Sequence, residues 1–268
     1  MAFFQHLLPG IALLALLSWA SASAHLHPPS QHGLSINDVP WHRREHWMRV
    51  ANEATYADGE PCPQAPFGSA IVNTTSDELI CVAANAVGRT GDPTMHGEMT
   101  AIRACHEVLS KRGLSPPEIL RAWRDFSLYT NGEPCPMCMS AIRWAGFKEI
   151  VYGTSIETIA KGGRNQIYIP SSDILAKSYS MGHMTLMLGG ILANETDPFF
   201  AHQFNESAPC PAGCQRKDTP GKRVSSCQPK PEWREIIQQR EPEELLDSGR
   251  AYREPSPVNT FWPWQRLS

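Results

Sequence analysis

Apolar residues recur along this chain at two spacings. From Trp41 to Ala57, the run WHRREHWMRVANEATYA sets Trp47, Val50, Ala51 and Ala54 on one helical face. GSAIV (68–72) and ELICVAAN (78–85) are short strand-like runs, and the polar NTTSD between them predicts a hairpin. A helix is predicted over about 96–112, with Thr94 as N-cap and Gly113 at its end. FSLYT (126–130) and EIVYGT (149–154) predict strands on either side of a short helix, PMCMSAIRWAG (136–146), bounded by proline and glycine. Residues 114–125 read as a connector and 155–182 as irregular, with a Gly-Gly pair and one short helix. MTLMLG (184–189) predicts the fifth strand, and ILANETDPFFAHQF begins a last helix that Pro198 interrupts or reopens.

The order is α-β-β-α-β-α-β-α-β-α. Strands separated by helices imply parallel pairing with helices on both faces, after an initial hairpin. The expected fold class is α/β, a three-layer α-β-α arrangement. Trp47 and Trp144, at helical spacing, read as core.

The ends differ from the middle. Leu7 to Trp19 is apolar but short for a membrane span, and Ala22-Ser23-Ala24 follows as a small-residue cleavage site. The expected division is a signal peptide at 1–24, a linker at 25–43, a catalytic domain at 44–206 and a Cys/Pro-rich extension at 207–268. Sequons at Asn73, Asn194 and Asn205 agree with a secreted glycoprotein that has no membrane segment after cleavage. The net charge of −3 lacks the basic bias that phosphate contacts demand, which disfavours a long nucleic acid as partner.

Eight cysteines in a secreted chain default to disulfides. Cys135 and Cys138 stand apart from that default. They sit three residues apart at a predicted helix start, where exposed N–H groups favour thiolates. A disulfide or a redox couple has the same spacing. Upstream, however, His96 opens the other long helix. Two thiolates and one imidazole from two helix starts, with a fourth position open, make a catalytic zinc arrangement. Glu98, two residues beyond His96, is then the natural proton carrier.

His-x-Glu followed by Pro-Cys-x-x-Cys is the signature of zinc-dependent base deaminases. The chain resembles the cytidine/deoxycytidylate deaminase superfamily, and within it the guanine deaminase and tRNA adenosine deaminase branch. PFG (66–68), Asn85, GDPTMHGEMTAIRAC (91–105), LYTNGEPCPMCMSAIRWA (128–145), EHWMRVANEA (45–54) and GGILANE (189–195) carry the resemblance, which covers about 44–205. It implies a cytidine deaminase-like fold with a five-stranded mixed sheet, one Zn2+ per subunit and a homodimer. His96, Cys135 and Cys138 would be the ligands and Glu98 the proton shuttle. Asn85, Glu133 and Phe67 would meet the substrate, although they also read as a strand cap, a loop-stabilising carboxylate and a core ring. The implied reaction is hydrolytic deamination of a nucleobase or nucleoside, guanine first. A tRNA-type adenosine deaminase, a cytosine or cytidine deaminase and a non-enzymatic protein retaining the fold are the alternatives. Gly97 departs from the branch, where alanine is commoner.

Of the other cysteines, Cys81 and Cys105 are expected as free buried thiols. Cys62, Cys210, Cys214 and Cys227 are expected to form two disulfides tying the extension to the domain.

Overall fold

The computed structural model describes residues 34–56, 61–218 and 225–231. The expected signal segment, residues 25–33 of the expected linker and the extension after 231 lie outside these residues.

The first described residues fold back on themselves. Ser35–Ile36 (β1) and Val39–Pro40 (β2) pair antiparallel around Asn37 and Asp38, at φ of 50° and 61°. Asn and Asp tolerate this left-handed backbone, so a segment read as linker from its polar composition is instead a tight turn. Helix α1 (Trp41–Ala54) follows directly.

β3 (Gly68–Asn73) and β4 (Glu78–Ala84) form the expected hairpin. A short turn of helix, α2 (Val87–Thr90), precedes α3 (Gly97–Lys111). The predicted connector is α4 (Pro116–Ala122), which Ser115 and Glu118 close at its start as a reciprocal cap. β5 (Phe126–Gly132), α5 (Pro136–Ala145) and β6 (Glu149–Thr154) match their predicted runs. The stretch read as irregular holds two helices, α6 (Ile156–Lys161) and α7 (Ser171–Lys177). β7 (Leu186–Leu188) and α8 (Ala193–Ala201) follow, with Pro198 inside α8.

The sheet runs β4-β3-β5-β6-β7, antiparallel on the β3 side and parallel from β5 onward. It is therefore the five-stranded mixed sheet expected. Alternate residues of each strand feed opposite faces. Ile71, Leu128 and Ile150 join Ala101, Leu109, Met139 and Ile142 under α3, α4 and α5. Ala70, Val72, Tyr129 and Val151 pack under Trp47, Met48 and Ala51 of α1. Trp47 is core as expected. Trp144 is not: it is 78% exposed on the outer face of α5.

A buried charge pair fixes α1 on this sheet. The Arg44 guanidinium donates to both oxygens of Glu149 on β6, at 2.9 and 3.1 Å, and both residues are fully buried. Asn37 and Ser127 each donate to Glu149 at 2.8 Å, so the carboxylate is fully satisfied. Burial alone would raise the Glu149 pKa, but these bonds outweigh it and hold the carboxyl below its usual range.

Six cysteines are paired. The four outer cysteines form two disulfides, as expected, but only Cys62–Cys214 ties the extension to the loop after α1; Cys210–Cys227 lies within the extension, which forms a small hairpin of β8 (Cys214–Lys217) and β9 (Ser226–Pro229). Cys81–Cys105 is a third disulfide, from β4 to α3, where free thiols were expected. Their Cα atoms are 5.4 Å apart, inside the range a disulfide spans. Among the described residues, no helix is long and apolar enough to cross a membrane.

Candidate active site

Two helix starts meet at one end of the sheet. His96 is the N-cap residue of α3, and Cys135 is the N-cap residue of α5, followed by Pro136 at the first helical position. The expected cap, Thr94, instead bonds Asp92 in the turn before the helix. Cys138 lies in the first turn of α5 and is fully buried.

The three donor groups converge. The Cys135 Sγ is 3.5 Å from His96 Nδ1 and 3.6 Å from Cys138 Sγ, and the ligand atoms of all three lie within 4.8 Å of one another. A tetrahedral zinc with metal–sulfur and metal–nitrogen bonds of about 2.3 and 2.0 Å needs sulfur–sulfur and sulfur–nitrogen separations of about 3.8 and 3.5 Å. The donor set and its spacing therefore fit zinc, and Cys135 and Cys138 are free of any disulfide.

The electrostatics suit the same role. A hydrogen bond from Cys138, with others from His96 and the backbone, pulls the Cys135 thiol down to about 4 against its burial. The same bond and burial push the Cys138 thiol up. Glu98, in the first turn of α3, is 2% exposed. Burial first, and then the Cys135 charge, raise its carboxyl to about 7.

These groups floor a cleft of about 550 Å³. Phe67, Asn85 and Glu133 also line it, so all seven predicted site residues lie at or beside one place. Asn85 Oδ1 accepts from Val87 N at 3.1 Å. Phe67 packs on Phe200 at 4.9 Å between ring centroids. Glu133 spends both oxygens on the backbone: Ser171 N donates at 2.7 Å and Ile156 N at 2.9 Å. It ties the starts of α6 and α7 to the loop that carries Cys135.

One further part of the lining was not legible. Arg164, Asn165, Gln166 and Ile167 form it, from the loop between α6 and α7. The GGRN run was the only signal, an arginine beside a glycine pair. Asn131 was also missed. Its side chain accepts from Gly68 N at 3.0 Å and donates to Pro66 O at 2.8 Å, and so pins the Phe67 turn to the end of β5.

Residues 42–154 match the family described as the cytidine and deoxycytidylate deaminase zinc-binding region. The chain is 38% identical to a guanine deaminase of Bacillus subtilis (strain 168) over 104 residues, 39% of this chain and 60% of that protein. It is 38% identical to a probable cytosine deaminase of Schizosaccharomyces pombe over 42% of this chain and 64% of that protein. It is 28% identical to a tRNA-specific adenosine deaminase of Rickettsia bellii over 34% of this chain and 57% of that protein. The chain thus spans a little under two thirds of the length of these curated relatives. Residues 42–154 of this chain thus carry a cytidine and deoxycytidylate deaminase zinc-binding region, in which His96, Cys135 and Cys138 offer the donors for zinc.

Proposed function

We propose that the protein is a hydrolytic deaminase of a purine base or nucleoside, guanine first, with His96, Cys135 and Cys138 holding zinc and Glu98 carrying the proton. One observation carries the reading: a buried carboxyl and a two-thiol, one-imidazole donor set share the floor of an open cleft. Zinc in such a site lowers the pKa of water to near neutrality. Glu98, with its carboxyl held near neutrality by burial, can take a proton and give it back at the same pH. In the net reaction a C–O bond forms at the amidine carbon of the base, the C–N bond breaks, and the nitrogen leaves as ammonia on the proton Glu98 delivers. The Asn85 amide nitrogen is placed to donate to a ring acceptor.

The guanine deaminase relative supports a purine, and the equal identity of the cytosine deaminase relative keeps cytosine as the alternative base. A tRNA-type adenosine deaminase is a second reading, supported by the Rickettsia relative and opposed by the net charge of −3. Export belongs to the same proposal, supported by three disulfides, as do a homodimer and glycosylation at the exposed Asn194 and Asn205.

The test is ammonia release from guanine, adenine, adenosine, cytosine and cytidine by zinc-loaded protein. Guanine is expected to turn over fastest. Absence of turnover on all five, with zinc bound, would overturn the reading. Glu98→Gln should lower kcat by about 10²- to 10⁴-fold while zinc content stays at one per subunit; loss of the metal instead would show that Glu98 belongs to the ligand set.

A further inference from the structure

Arg164 enters the cleft from the turn after α6, where Gly163 has φ of 99°. Its guanidinium lies 5.4 Å from the ring centroid of Phe67 and 5.1 Å from that of Phe204. Two aromatic rings thus hold the planar group by cation–π contact. Its hydrogen bonding is far from spent. Among the described residues, Nη2 donates to Gln64 O and Nε is buried without a partner. No described carboxylate lies within ion-pair distance of it. Burial lowers its pKa, with nothing opposing. A part-buried cation whose described acceptor is a neutral carbonyl is poorly compensated, and such a group is often satisfied by what it binds.

Arg164 lines the same cleft as His96, Glu98 and Cys135, so a ligand held there can offer its guanidinium an acceptor. A rigid, planar donor fork matches planar acceptors that lie side by side. Guanine offers such a pair in O6 and N7, the edge arginine reads in nucleic acids. That edge lies on the side of the ring remote from C2, the carbon that bears the amine. A guanine whose C2 amine turns toward Glu98 therefore turns its oxygen edge away from the floor. Adenine has an amine at C6 where guanine has oxygen, and would set donor against donor.

We propose that Arg164 is the specificity-determining residue of this cleft, taking the oxygen-bearing edge of a 6-oxopurine. The inference rests on the purine deaminase reading above and deepens it. Arg164 then selects the base, and the floor groups perform the chemistry.

The experiment compares guanine with 2-aminopurine, which keeps the C2 amine and lacks the C6 oxygen. Arg164→Met keeps an unbranched stem between the two rings and removes every donor. It should lower kcat/KM for guanine by about 10- to 100-fold, and lower kcat/KM for 2-aminopurine less, since that base offers the fork N7 alone, with zinc content unchanged. Arg164→Lys should recover little, since it restores charge without the fork. Retained turnover of 2-aminopurine reports that the variants fold and that the floor is intact. An equal loss on both purines, or none on guanine, overturns the proposal. So does a wild-type preference for guanosine monophosphate over guanine that Arg164→Met abolishes, which would make Arg164 a phosphate group's partner. If the zinc-loaded wild type turns over neither purine, the purine reading itself fails, and the proposal falls with it.

Discussion

Two pairs of cysteines lie close together in this molecule, and they have opposite fates. Cys81 on β4 and Cys105 on α3 face each other across the core and are bonded. Cys135 and Cys138, on one turn of α5, hold their sulfurs 3.6 Å apart and are not. Proximity therefore does not decide the outcome. The bonded pair sits in the apolar cluster that includes Ile71, Ile80 and Ala101, where Cys81 Sγ lies 3.4 Å from the Ala101 carbonyl oxygen. The open pair has the His96 imidazole at 3.5 Å and the Glu98 carboxyl in the next turn of the same helix start. A third donor turns two thiols into a ligand set.

Removing that third donor should produce the largest effect. His96→Ala leaves Cys135 and Cys138 in place with nothing to complete the site. Zinc should be lost from the purified protein, and deaminase activity should fall by roughly 10³-fold or more, the share a metal supplies to such chemistry. The two sulfurs should then behave like the other pair. Under mild oxidant they should join, as peptide mapping under non-reducing conditions would detect, while the zinc-loaded wild type resists. A variant that keeps stoichiometric zinc would erase the distinction between the two pairs.

The same contrast explains what could be read in advance. The His96, Glu98, Cys135 and Cys138 set was legible because each part is local: a spacing of two, a spacing of three, and a proline that marks a helix start. The order of strands and helices was legible for a similar reason. The Cys81–Cys105 bond was not. Both residues were placed in the core, but which face of β4 meets which face of α3 depends on packing that no spacing records. Arg44 and Glu149 are further apart still, 105 residues in sequence, and join only once β6 is in the sheet and α1 lies across it. Arg164 depends on α6 and α7, two short helices in a stretch whose apolar periodicity is too brief to detect. Long-range pairings are the common element in these misses.

The second effect is on stability alone. Cys81→Ala with Cys105→Ala opens a link across a sequence separation of 24. Chain entropy puts the loss at about 3 kcal/mol. For a domain of this size that is a fall of about 6–12 °C in Tm. Zinc content and kcat should be unchanged, because Cys105 lies more than two turns along α3 from His96, and the other two ligands are on α5. Calorimetry and metal analysis on the same sample check both halves. If zinc leaves with the disulfide, the bonded pair is part of the site's support and the two pairs are not independent.

The smallest effect probes the single residue between a zinc donor and the proton carrier. Gly97 has no room for a side chain. A Cβ at this position would lie 2.6 Å from Phe67 O and 3.0 Å from its carbonyl carbon. Both atoms are backbone, and the Phe67 carbonyl already accepts from Asn85 N at 2.8 Å, so it has little freedom to retreat. Gly97→Ala must therefore shift the start of α3 or the Phe67 turn. Overpacking of this kind costs about 1–3 kcal/mol. The functional loss should exceed what stability alone implies, because His96 and Glu98 flank the substituted residue, and sub-ångström misplacement of reacting groups is costly. A fall in kcat of about 10-fold is expected, with zinc retained and the Cys81–Cys105 bond intact. Unchanged kcat and Tm would mean that the turn yields freely, and that the open pair's surroundings are less rigid than the bonded pair's.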